Sequence, residues 1–242
     1  MNWPFIIGVL ACAGFVQGLT GFGFGLVSMS LLPAVLGLKE AAAIGTLYGL
    51  LVIIATFAQH YREYDWRLGI PFVVAMSVGV PVGVYFLENF NEDILLKTLG
   101  AVMVYFAARE FFIKRPLQSI STPMSIPFGI FSGVLSGAFN LGGIPTATYA
   151  YAHPWTRGQI MAFLQMTLIL SCTFRLFLYG KVGYLKEFSW TFGAAVVVPL
   201  FGAMFLGNFV MNRVHPKHMR RAIFVFIGAA GLYYLLITHN SA

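Results

Sequence analysis

The chain has 242 residues, 59% of them apolar and 10% charged, with a formal net charge of +7 and a mean hydropathy of +0.81. A soluble domain of that size has nowhere to hide so much apolar surface, so the composition points to an integral helical membrane protein. The basic residues are scattered between apolar spans and form no patch, which argues against a nucleic-acid partner and fits the Lys/Arg bias of cytoplasmic loops.

In chain order, the first apolar stretch covers residues 3–38, too long for one helix across about 30 Å of lipid. Glycines break it: Gly14-Phe-Val-Gln-Gly18-Leu-Thr-Gly21-Phe-Gly23-Phe-Gly25. Phe5 to Ala13 resembles a signal core, but no Lys or Arg precedes it, so it reads as mature structure. Single crossings are predicted at 41–59, 68–87 and 94–112. A second broken stretch covers 125–152 and contains Gly129-Ile-Phe-Ser-Gly133-Val-Leu-Ser-Gly137-Ala-Phe-Asn-Leu-Gly142-Gly143-Ile-Pro145. Crossings at 158–179, 190–211 and 219–237 complete the set. Trp3, Trp66, Trp155 and Trp190 stand at the starts of spans, where interfacial aromatics belong.

Charge counting distinguishes two readings of the broken stretches. As re-entrant hairpins they put Arg62, Arg67, Arg109, Lys114, Arg115, Arg157, Arg213, Lys217, Arg220 and Arg221 on one side of the membrane. Lys39, Lys97, Lys181 and Lys186 fall on the other. As full crossings they give no bias. The expected fold is therefore all-α, in two inverted repeats, each a Gly-broken, re-entrant hairpin followed by three transmembrane helices. The repeats cover residues 1–116 and 117–242, and both termini lie on the outer side. Arg62-Glu-Tyr-Asp-Trp66 matches Lys186-Glu-Phe-Ser-Trp190, and Pro81 and Pro199 close similar apolar runs.

A broken apolar segment recurring once per half is a pointer to a transporter's binding site. The second half-helix of each hairpin starts at the break, at Phe24 after Gly23 and at Pro145, taken as the first helical position, after Gly143. Free amides and the helix dipole at these starts suit a small anion. The expected ligand contacts are Gln17, Thr20, Gly23, Gly25, Asn140, Gly142 and Gly143. The other glycines, such as Gly14/Gly18 and Gly129/Gly133, form GxxxG pairs that also suit close helix packing. Arg175 is the one cation well inside a span, reading either as a ligand contact or as a side chain snorkelling to the interface. The acidic residues all fall in loops or at span ends, so no buried carboxylate relay is visible and anions are favoured over cations. Cys12 and Cys172 read as small core residues with no metal or redox motif.

At these same residues the chain resembles the sulfite exporter TauE/SafE family of membrane permeases. Gly18-Leu-Thr-Gly-Phe-Gly-Phe-Gly25-Leu, the pair Gly45-Thr46, and Gly133 through Gly143-Ile-Pro145 look like its repeated signature. Asn140 stands where the family's second motif usually carries glycine. The resemblance implies movement of sulfite, organosulfonates or related small anions across the bacterial inner membrane. Thr46 and its counterpart Gln165 join the candidate contacts on that basis. The function expected is secondary transport of a small anion by alternating access, the alternative being a passive anion channel. No catalytic motif, cofactor or metal is called for. The partners are the anion and the bilayer, and a homo-oligomer is compatible with the sequence.

Overall fold

The computed structural model describes residues 3–112, 124–184, 190–211 and 216–236. They form eleven α-helices and one short 3-10 turn, with no strand among the described residues. Helix α1 spans Trp3–Thr20, α2 Phe24–Leu31, α3 Pro33–Leu36 and α4 Leu38–Phe57. After the turn at Tyr61–Glu63 come α5 (Trp66–Asn89) and α6 (Glu92–Phe112). The remainder is α7 (Ser125–Phe139), α8 (Gly143–Tyr151), α9 (Arg157–Val182), α10 (Trp190–Met211) and α11 (Pro216–Leu236).

Five helices (α1, α4, α5, α9 and α10) are long and apolar enough to cross a membrane. Predicted crossings 94–112 and 219–237 correspond to α6 and α11. Helix α6 falls short on composition, with Glu92, Asp93, Lys97, Arg109 and Glu110 near its ends, and α11 is an apolar helix over Arg221–Leu236. The outward faces are apolar: Val78 on α5 is 60% exposed and Val198 on α10 is 78% exposed. Such faces suit lipid as the solvent, and the chain is an all-α membrane protein.

Glycines set the helix pairing. A methyl group on Gly133 would overlap the carbonyl of Met76 and sit 2.9 Å from Gly79 Cα, and one on Gly137 would meet Val80 and Gly83. Ascending numbers meet ascending numbers, so α7 runs parallel to α5. By the same test Gly14 meets Leu200 and Gly18 meets Met204, so α1 runs parallel to α10. In lipid, where burial of apolar surface drives little association, such backbone approach supplies dispersion contact. Gly14, Gly129 and Gly133 are therefore packing glycines.

Hydrogen bonds orient these pairs. Tyr48 donates to the Gly193 carbonyl at 2.9 Å and Asn208 to Gln59 Oε1 at 3.2 Å, so α4 and α10 are parallel. Leu38 N–H donates to Glu92 Oε1 at 2.7 Å and Lys39 to the Glu88 carbonyl at 3.2 Å. The start of α4, the end of α5 and the start of α6 thus share one end of the bundle, called here the Gly37 end. The opposite end is the Gln59 end. Helix α1 starts at the Gly37 end with α10, and the chain returns to that end at Gly37 after α3. Helix α7 starts with α5 at the Gln59 end, and α8 returns there at Tyr151. Arg62, Arg109, Arg157 and Arg221 lie towards the Gln59 end, and Lys39, Lys97 and Lys181 towards the Gly37 end. Lys114, Arg115, Lys186 and Arg213 lie outside the described residues, as do most of the 186–190 match and the 116/117 boundary.

Two details differ from the sequence reading. Cys12 is exposed on the outer face of α1, opposite buried Leu10 and Ala13, whereas Cys172 is buried. Helix α8 begins at Gly143, with Gly142 as its N-cap, which puts Pro145 third in the helix. Proline is tolerated there because a first-turn amide has no intrahelical acceptor to lose.

Candidate functional site

Both breaks have the same build. Helix α1 ends at Gly21, whose φ of +82° is left-handed, and α7 ends at Asn140 with φ +62°. Two residues later a glycine caps the next helix, Gly23 for α2 and Gly142 for α8. The left-handed residue turns the chain back, a conformation that glycine adopts freely and asparagine tolerates better than most side chains. Asn140 therefore replaces glycine without breaking the turn.

The first break is held by two buried glutamines. Gln17 Nε2 donates to the Gly21 carbonyl at 2.8 Å, and its Oε1 accepts from Phe24 N–H at 3.0 Å. Gln165 on α9 also donates to the Gly21 carbonyl, and the two carboxamides lie 3.4 Å apart. One side chain thus satisfies an orphan donor of α2 and a carbonyl of the turn. Thr20 bonds the Val16 carbonyl at 2.9 Å.

This break forms the floor of a cavity of about 760 Å³. Gln17, Thr20, Gly21 and Gly23 line the floor, and Met161, Met204 and Asn208 line the walls. Gln59, Glu63, Tyr151 and Arg157 lie around the mouth, which places the opening at the Gln59 end. The Glu63 carboxylate lies against Gly158, in the first turn of α9, where the helix dipole favours an anion. Glu63 and Arg157 set one charge of each sign at the entrance. Sequence reasoning had these two only as loop charges; the single cue was their position flanking Trp66 and Trp155.

The second break lies beside the first but outside the cavity lining. A methyl on Gly143 would lie 3.3 Å from the Phe22 carbonyl, and Gly25 is pressed against the Asn140 carbonyl. Each turn thus sets a carbonyl against the start of the other's return helix. Asn140 and Ser136 face Arg175, which is 1% exposed. Arg175 donates to the Ser136 carbonyl, to Ser136 Oγ at 2.8 Å and to Asn140 Oδ1. Buried this way, Arg175 does not snorkel. Ser132 Oγ donates to the Gly142 carbonyl at 2.7 Å and meets Thr146 Oγ1 at 2.7 Å, fixing the start of α8.

Of the residues singled out from sequence, Gln17, Thr20 and Gly23 line the cavity, and Gln165 meets Gln17 just beneath it. Gly142, Gly143, Asn140 and Arg175 gather at the second break. Gly25 is covered by Asn140, and the Thr46 hydroxyl is occupied by the Ala42 carbonyl at 2.6 Å. Helix α9 links the two breaks along one face. Met161, Gln165, Leu168, Cys172 and Arg175 recur at helical spacing. A methyl group on Gly21 would reach Met161 and Gln165, one on Gly143 would meet Leu168, and Arg175 reaches Asn140.

Comparison with known proteins agrees in scale and type. Residues 6–234 match the family described as sulfite exporter TauE/SafE. The chain is 27% identical over 229 residues to a probable sulfite/organosulfonate exporter TauE of Cupriavidus necator, covering 91% of this chain and 89% of that protein. It is 23% identical over 261 positions to a probable membrane transporter protein of Methanocaldococcus jannaschii, covering 96% of each. No solved structure matches. With a match running through both hairpins and nearly every helix, the chain belongs to the sulfite exporter TauE/SafE family.

Proposed function

We propose that this membrane transporter carries a small anion of the sulfite or organosulfonate class by alternating access. Its two halves, 1–116 and 117–242, act as inverted repeats in the bacterial inner membrane, with the Gln59 end cytoplasmic and both termini periplasmic. The observation that carries this reading is the cavity that runs from the Gln59 end to the first glycine break, with no residue of the second break or of the Gly37 end in its lining among the described residues. A dead-end vestibule over a half-helix start suits a carrier caught open to one side. A channel needs a continuous path.

The anion descends past Arg157 and meets the carboxamides of Gln17 and Gln165, the hydroxyl of Thr20 and the backbone at Gly23. Each is neutral, with Thr20 donating only once it leaves the Val16 carbonyl, so a monoanion is bound without trapping it. Asn140, Gly142 and Gly143 take the equivalent part when the protein opens to the other end. The low charge of the site and the family's transport role support a carrier with no catalytic step.

Purified protein is to be screened by thermal shift against sulfite, organosulfonates and carboxylates, then reconstituted for flux. The expected result is stabilisation by sulfur oxyanions and saturable exchange across proteoliposomes. If none of the anions stabilises the protein and no flux appears, the reading fails. Conductance without saturation establishes the channel instead.

A further inference from the structure

Arg175 carries a guanidinium charge into the protein interior. It is 1% exposed, and among the described residues no carboxylate pairs with it. Its partners are neutral: Ser136, Asn140 and the sulfur of Cys172 at 3.3 Å. Its Nε has no hydrogen-bond partner among the described residues. Ser136 and Asn140 belong to the last turn and cap of α7, so the negative end of that helix dipole supplies only about half a compensating charge. A buried charge is ordinarily paired, and one left with dipoles alone is unfavourable.

The position of this charge on the route is equally informative. Gln165, just beneath the cavity floor, and Arg175 lie ten residues apart on one face of α9, a rise of about 15 Å. Between them on that face stand Leu168 and Cys172. The first turn is held by neutral carboxamides from Gln17 and Gln165. The second turn, of the same build, is held by a cation.

We infer that Arg175 is an anion-gated latch: the transported anion takes the places of Asn140 and Ser136 on its guanidinium, and only then is the second hairpin free to open towards the Gly37 end. This rests on the anion-carrier reading above and adds a second anion position that the cavity does not reach. Opening without an anion would strip the guanidinium of its carbonyl and carboxamide partners while it is still buried. That barrier prevents the empty protein from opening to the far side. An arriving oxyanion removes the barrier, because planar guanidinium and a sulfonate or sulfite edge match in two parallel hydrogen bonds.

The test compares binding of ethanesulfonate and sulfite to the full-length wild type, Arg175→Gln, Arg175→Lys, Asn140→Asp and Asn140→Gly. Binding is read by isothermal titration, with thermal melting as the check on folding. Arg175→Gln is expected to remove the binding event at the second turn while the site at the first glycine break still binds, and Arg175→Lys to weaken that second event about tenfold, which is about 1.4 kcal/mol. Asn140→Asp supplies a tethered carboxylate to the guanidinium, so it should melt no lower than wild type and lose the same second binding event. Asn140→Gly keeps the left-handed turn and removes a competitor, so it should bind several-fold tighter. A purely structural arginine would give no such gain. Wild-type binding with Asn140→Asp and Asn140→Gly both within threefold of it overturns the latch and leaves the carrier reading standing. Absence of any binding to wild type overturns both.

Discussion

Replacing Gln17 by Leu removes its hydrogen bonds to Gly21, Phe24 and Gln165 at nearly constant volume, so packing at the site is preserved. The Gly21 carbonyl keeps Gln165 as a donor, so little is lost there. The Phe24 amide loses its acceptor, Gln17 Oε1 at 3.0 Å, in a buried place. Leaving a buried donor unsatisfied costs about 1–3 kcal/mol. Taking about 2 kcal/mol as local destabilisation of the start of α2, amide exchange there accelerates about 30-fold. Hydrogen–deuterium exchange with mass spectrometry on peptides covering residues 20–31 reads this directly. Gln165→Leu is the control: it loses contact with Gly21 and Gln17 and does not touch Phe24, so exchange at Phe24 should stay near wild type. Exchange within threefold of wild type in Gln17→Leu would refute the assignment of Gln17 as the cap of the re-entrant half-helix.

Gly133→Leu should lower the melting temperature sharply, because any side chain there drives α7 off α5, with overpacking costing about 1–3 kcal/mol or more. Gly202→Ala, where an added methyl meets nothing within 4 Å, should be neutral or stabilising by up to about 1 kcal/mol; equal effects from the two would show that glycine contact does not hold the bundle. In folded protein an apolar maleimide should modify Cys12 alone, with Cys172 reacting only after denaturation, and two thiols titrating at once would contradict the burial of the Arg175 cluster. Cysteines placed at Lys39 and Arg62 should label from opposite sides of sealed vesicles, since the two lie at opposite ends of the bundle; labelling from one side would overturn the helix directions.

Much of this protein follows from sequence because lipid removes choices. With no water to satisfy backbone groups, apolar runs of crossing length must be helices. Glycines inside such runs must mark either close packing or a break, and Gly21, Gly23 and Gly142 sit at breaks in both readings. What one strand of text could not separate was which glycines pack and which turn. Gly129 and Gly133 look like Gly14 and Gly18, and all four serve helix contact, because that role depends on the helix opposite. Arg175 was visible as an anomaly, yet whether it reached lipid headgroups, water or a turn depended on what stood across from α9.

The pattern of apolar runs, the two glycine breaks and the absence of acid from the span interiors are properties of the sequence alone, dictated by the free energy of placing each residue in hydrocarbon. The pairing of α1 with α10 and of α7 with α5, the glutamines on Gly21, the arginine on Asn140 and the one-sided cavity arise only in tertiary structure. Apart from Gln17 on Gly21, they join residues more than thirty positions apart, and no local propensity encodes which of several equally apolar helix faces will meet.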